Sequence, residues 1–220
     1  MCPSVAGLPR DDGEFILARL SRIAQSAGAP LGLENCKANF YIIVTEKPNE
    51  LLKALEKKNP KMYTNGYPTL FRKFESAASP IRVWYNAELY DGYGTRLAAG
   101  GGWQASEGGW HTASRIAFSS LRDLASVFVI VDTKGARESG VTFGQIAAYI
   151  AMVGLAELRS DPKLGAAPTI LSLFSTSGKE PPPGLTSWDR AYLKALYHTS
   201  HADKMQLVEI KTSVVQDLAP

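Results

Sequence analysis

The chain is poor in the residues that most metal and redox chemistry needs. Of its 220 residues two are cysteine and three are histidine. Neither Cys2 nor Cys36 has a second cysteine nearby, which excludes a C-x-x-C redox or zinc pair. The histidines His111, His198 and His201 form no H-E-x-x-H helix, and no G-x-S-x-G elbow marks a serine hydrolase. Ser177-Gly178-Lys179 ends in Glu180 and lacks the upstream glycine of a phosphate-binding loop. The formal net charge is only +3, with no block of lysine and arginine to follow a phosphate backbone, so nucleic acid is not an expected partner. The longest apolar runs, Phe40 to Val44 and Val127 to Val131, fall far short of the ~18 residues of a membrane-spanning helix, and they read as buried strands.

What is present is the composition of an ordinary globular protein, 45% hydrophobic and 20% charged, and the length suits one domain with a real core. The expected fold class is α+β: a single domain over 1–220, with a small sheet of about four strands among helices. Residues 1–135 hold the sheet, 140–220 form a helical half, and 91–110 is a loop rich in glycine and tryptophan.

Asp11 and Asp12 precede apolar residues at Ile16, Leu20, Ile23, Ala24 and Ala27, the spacing of an amphipathic helix that stops at Gly28-Ala29-Pro30. Asn39 to Thr45 is β-branched and aromatic without polar breaks, as a central strand covered on both faces would be. Asn49 to Lys58 returns to helical spacing, with its lysines turned to water. Pro68 to Phe74 predicts a short helix, and Ile81, Val83 and Tyr85 alternate as a strand does. Two further strands are expected at Ser114 to Phe118 and Val127 to Asp132, with the glycine-rich loop Asp91 to Gly109 before them.

The second half reads as helical. Thr142 and Gln145 fit a capping box, which predicts a helix from Thr142 to Leu158, apolar on more than one face and packed deep. A short helix over Pro168 to Phe174 and a stiff connector at Pro181-Pro182-Pro183-Gly184 follow. Thr186 or Ser187 then caps a helix through Tyr197, and a last helix runs from about Ala202 to Leu218.

The two cysteines leave either a disulfide or two free thiols. A bridge would close a loop of about 34 residues and tie the N-terminus to the entry of the first predicted strand, where an untethered terminus would fray. Otherwise Cys36 is a small buried apolar residue and Cys2 is incidental. Met1-Cys2-Pro3 lacks the basic start and apolar stretch of a leader, so export would mean that cleavage had already set this N-terminus.

Trp103, Trp110 and His111 are the candidate binding residues. Large aromatics among glycines can stack on a sugar or a partner protein, or they can fold back over the sheet. His111 could act as a base, which requires a nucleophile and an orienting acid in reach. His198 and His201, three apart with Asp203 close behind, admit a surface metal site. The simpler reading has them flanking a loop, with His198 at a helix C-terminus where positive charge is favourable. Asp132, at the end of the strongest strand, and Glu157, on the apolar helix, are the two acids to locate first, and neither is assigned a catalytic role.

Gly140-Val141-Thr142-Phe143-Gly144-Gln145 with Tyr149-Ile150-Ala151, then Pro168-Thr169-Ile170-Leu171, and then the stretch Leu185-Thr186-Ser187-Trp188-Asp189-Arg190 through Tyr197, resemble a group of exported proteobacterial proteins of unknown function. Cys2-Pro3 to Arg10 and Cys36-Lys37-Ala38-Asn39 are similar to the start of the same group, so the resemblance covers nearly the whole chain. More distantly, the apolar helix followed by Leu-Thr, Asp and Leu-Tyr is similar to a family of bacterial lipoproteins related in fold to zinc metallopeptidases. In those peptidases one helix places two histidines on the metal and a glutamate beside its water. The matching positions here, Ile150 to Gly154, offer neither ligand nor base. The resemblance therefore implies a degenerate zincin-like scaffold without its catalytic metal and with no cofactor. The expected protein is exported, periplasmic or extracellular, and a non-catalytic binder or scaffold whose partner is an envelope protein or a glycan. The alternatives are a hydrolase with a non-standard site, for instance His111 with a carboxylate, and a structural subunit of a larger envelope assembly.

Overall fold

The computed structural model describes residues 1–58, 68–90, 121–158, 168–175, 180–199 and 204–219. They form one domain of mixed α and β structure with a single four-stranded sheet. In chain order the strands are β1 (Pro3–Ala6), β2 (Phe40–Thr45), β3 (Ile81–Tyr90) and β4 (Leu121–Asp132). The helices are α1 (Arg10–Ala27), α2 (Pro48–Lys58), α3 (Pro68–Glu75), α4 (Thr133–Glu138), α5 (Phe143–Ala156), α6 (Ser187–His198) and α7 (Lys204–Leu218), with a 3-10 turn at Ile170–Phe174.

The sheet order is β1-β2-β4-β3. β1, β2 and β4 run parallel, with Pro3 opposite Phe40 and Phe40 opposite Val127, while β3 returns antiparallel to β4 through Ile81 opposite Val131. α1 carries the chain from β1 to β2, the crossover that two parallel strands require. β1 is a strand the hydrophobic pattern does not announce, because it is four residues long and none of them is fully buried. Its neighbours define it: Asn39 and Phe40 N–H donate to the Cys2 carbonyl at 3.0 and 3.1 Å, and Cys2 N–H donates to Asn39 Oδ1 at 2.7 Å.

Period-two alternation divides the sheet between two cores. Phe40, Ile42 and Val44, with Val127, Val129, Val131, Ile81, Val83 and Tyr85, face α1 and α5 in the main core. Tyr41 and Ile43, with Phe128, Ile130 and Trp84, face α2 and α3, where Leu52, Phe71 and Phe74 close a second cluster. Trp84 stands edge-on to Phe71 at 5.7 Å, and Tyr41 stacks on Phe128 at 4.8 Å. α5 is apolar all round, and every residue from Gln145 to Ala156 is buried. Its capping box is present: Gln145 N–H donates to Thr142 Oγ1 at 3.2 Å and Thr142 N–H to Gln145 Oε1 at 2.8 Å. The Gln145 amide also donates to Pro182 O at 2.8 Å, so one side chain starts the helix and ties the proline connector to it.

The boundaries differ from the sequence reading at β3 and β4, which extend to Tyr90 and back to Leu121 as a hairpin, with a register shift between Asn86 and Ala87. α4 was not expected either; Asp132 creates it by accepting from the N–H groups of Lys134 and Gly135 at 3.0 and 3.2 Å. The helix expected at Pro168 to Phe174 is the 3-10 turn, and the strand expected at Ser114 to Phe118 lies outside the described residues.

Candidate functional site

Cys2 and Cys36 are bonded, with Cα atoms 6.0 Å apart and no free cysteine remaining. The loop they close is drawn in further by Gly32 N–H donating to Met1 O at 2.7 Å and by the terminal amine against Pro30 O. Partial burial holds that amine below its ordinary pKa.

Trp103, Trp110, His111, His201 and Asp203 lie outside the described residues. His198 is the last residue of α6, its Nδ1 2.8 Å from Lys194 O. Its ring covers Gly28, the left-handed C-cap of α1 (φ 81°), where a Cβ would come within 2.7 Å of His198 Cε1. The imidazole is exposed, with Nδ1 engaged at the end of its own helix. Among the described residues no three His, Cys, Asp or Glu side chains gather as metal ligands would. Ile150 to Gly154 are buried in the main core.

The two acids sit at opposite ends of the main core. Asp132, at the carboxyl end of β4, is committed to capping α4. It also supports the charge of Arg82, a buried cation on β3 that the sequence reading missed inside an apolar-looking strand. Arg82 Nη1 donates to Asn49 Oδ1 at 2.7 Å and to Glu75 O at 2.6 Å, joining the first turn of α2 to the last carbonyl of α3. Burial lowers its pKa, and Asp132 and Glu75 oppose that shift. Glu157 closes α5 in the left-handed conformation, φ 48°. The hydroxyls of Tyr85 and Tyr197 reach carbonyls at and just past the end of that helix: Tyr85 Oη lies 2.5 Å from Val153 O and 2.9 Å from Leu158 O, and Tyr197 Oη 2.8 Å from Leu155 O.

Asp189 is the most deeply buried charged residue described. Its Oδ1 accepts from Thr169 Oγ1 at 2.5 Å, and its Oδ2 accepts from the N–H groups of Ile170 and Thr186 at 2.8 and 2.9 Å. One carboxylate thus serves the N-termini of the 3-10 turn and of α6 together, where negative charge is stabilised. The spacing from Thr186 to Asp189 is that of a capping box, which was the available signal for this role.

One hollow among the described residues was not legible in any motif. It is a cleft of about 330 Å3 between α1, α6 and the end of α7. Ile23, Ala27, Leu185 and Leu193 give it apolar walls, and Arg190 and Lys194, one turn apart on α6, stand at it with Asp217. Lys194 Nζ is held by Asp217 at 2.9 Å. Such a cleft can bind a small molecule.

Comparison with protein-family models, curated proteins and solved structures returned no match.

Proposed function

We propose that the protein is an exported, non-catalytic binding or scaffold protein of the cell envelope, periplasmic or extracellular, built on a zincin-like scaffold that has lost its metal. The observation that carries this reading is the Cys2–Cys36 bond, because disulfides persist in oxidising compartments and are rare in the cytosol. The use of the buried polar side chains supports the non-catalytic part. Asp189 and Gln145 spend their hydrogen bonds on backbone and caps of neighbouring elements, and Arg82 Nη1 bridges Asn49 Oδ1 and Glu75 O. Trp103 and Trp110, with His111, are the proposed contact surface for an envelope protein or a glycan.

The test is fractionation of cells producing the natural precursor, with thiols trapped at lysis. A chain oxidised at Cys2 and Cys36 in the periplasm or the medium is expected; a reduced chain confined to the cytosol rejects export. Elemental analysis after dialysis against a chelator separates this reading from a metal-dependent hydrolase. About one zinc per chain surviving, and lost on changing His198 and His201 to alanine, would put the hydrolase first.

One observation favours the assembly-subunit reading as a second choice. α7 packs Ile210 and Val214 against α6 but leaves Leu207 74%, Val215 67% and Val208 55% exposed. Sedimentation of the purified chain decides it, since a subunit should self-associate less when Leu207 and Val215 are changed to glutamate.

A further inference from the structure

We infer that the cleft between α1, α6 and the end of α7 is a binding site for a small amphipathic anion, a short acyl chain ending in a carboxylate. This rests on the non-catalytic binding reading and names the ligand class.

Three features of the cleft select that class. Its walls are apolar where Ile23 and Ala27 of α1 face Leu185 and Leu193, so a hydrocarbon chain would replace water there at a gain. Its volume, about 330 Å3, accommodates about ten non-hydrogen atoms at the ~30 Å3 that a water-sized group occupies. Octanoate has that size. Its charge is positive on balance. Asp217 neutralises Lys194, whereas Arg190 lines the cleft with no ion-pair partner among the described residues.

A second cation stands nearby. Arg19 precedes Ile23 by one turn of α1, and its Nη2 lies 3.4 Å from where a Cβ on Gly184 would be, beside the lining residue Leu185. A carboxylate is the acceptor with which such cations pair best. The planar guanidinium of Arg190 suits the same headgroup. The carboxylate is therefore assigned to Arg190, and the chain to the walls of Ile23, Ala27, Leu185 and Leu193.

The experiment titrates the purified full chain with octanoate, octanol, acetate and octyltrimethylammonium, following amide shifts of α1 and α6. Octanoate is expected to bind at least about tenfold more tightly than each of the other three, with the perturbed amides bordering the cleft. Arg190→Ala, at an exposed position, should weaken octanoate about tenfold and leave octanol unchanged. Ser26→Trp, at the rim, should block both, with unchanged circular dichroism showing that each variant is folded. Equal affinity for octanol and octanoate, octanoate binding that survives both variants, or no binding to the folded oxidised chain would overturn the assignment. A folded, exported chain that ignores octanoate loses only this ligand class; a cytosolic, reduced chain loses the envelope reading whatever it binds.

Discussion

Gly154 on α5 and Phe40 at the start of β2 touch so closely that a Cβ on the glycine would lie 2.2 Å from Phe40 Cζ and 2.4 Å from Cε2. The missing side chain lets the central helix settle on the sheet. In an isolated helix Gly154→Ala would gain about 1 kcal/mol of propensity. Here the methyl meets a ring that is 1% exposed and has nowhere to move, and overpacking of this kind costs about 1 to 3 kcal/mol. Urea denaturation should show Gly154→Ala destabilised, with a smaller penalty when Phe40 is first changed to leucine. An equal penalty in both backgrounds would show that the two residues are not coupled.

Asp189 gives a test of how α6 and the 3-10 turn are joined. Asp189→Ala removes the acceptor for Thr169 Oγ1 and for the N–H groups of Ile170 and Thr186, leaving buried donors without a partner. A loss of about 3 kcal/mol is expected. Asp189→Asn should lose less, because its carbonyl oxygen can still serve one side of the site and Thr169 can turn its hydroxyl. Thermal melts of the two variants measure the order, and an alanine variant as stable as the asparagine one would remove the carboxylate from this role.

Where a pattern repeats over several turns or alternates over a strand, it was readable without coordinates. α1, α5 and β2 are cases, and the box of Thr142 with Gln145 marked the start of α5 to the residue. β1 escaped because four partly buried residues carry no period, and what makes them a strand is a long-range pairing with β2 and a disulfide. α4 escaped because its signal was one aspartate that also ends a strand. Arg82 was hidden because alternation assigns alternate positions to a face without saying whether a helix covers it; α2 and α3 do. The cleft depends on where α1, α6 and α7 converge in space, which no local spacing encodes. Asp132 was read at a strand end and Glu157 on the apolar helix; the structure places them at the N-cap of α4 and the C-cap of α5.

The disulfide should stabilise chiefly through the unfolded chain. Its sequence separation of 34 corresponds to about 3 to 4 kcal/mol of loop-closure entropy at room temperature. Changing Cys2 and Cys36 together to serine should lower stability by an amount of that order, with β1 the first element to lose hydrogen-exchange protection. Intact mass with and without reductant first establishes that the wild-type bond is formed. Unaltered protection of the Ser4 and Ala6 amides in the double variant would show that pairing with β2 alone holds β1.

Tyr197 predicts how the fold responds to alkali. Burial, and then the negative charge of Glu157, push its hydroxyl from an ordinary value near 10 up to about 12. Below about pH 10 the phenol is neutral in both folded and unfolded chains, and its hydrogen bond to Leu155 O at 2.8 Å is intact. Between about pH 10 and 12 the unfolded chain has released the proton while the folded chain keeps it. The folded state then binds more protons, and stability must fall as pH rises through this window. The fall attributable to Tyr197 is up to about 2 kcal/mol. Tyr149 and Tyr192 are also raised by burial and add their own slopes, so the informative quantity is the difference between wild type and Tyr197→Phe. At neutral pH the phenylalanine variant should be less stable by about 1 kcal/mol for the lost bond. As pH rises past about 10 the wild type should lose stability faster, and the gap should close or reverse. Urea midpoints measured from about pH 8 to 11.5 give both curves. Parallel curves over that range would mean that Tyr197 titrates alike in the folded and unfolded chains, and that Glu157 and burial do not hold its proton in place.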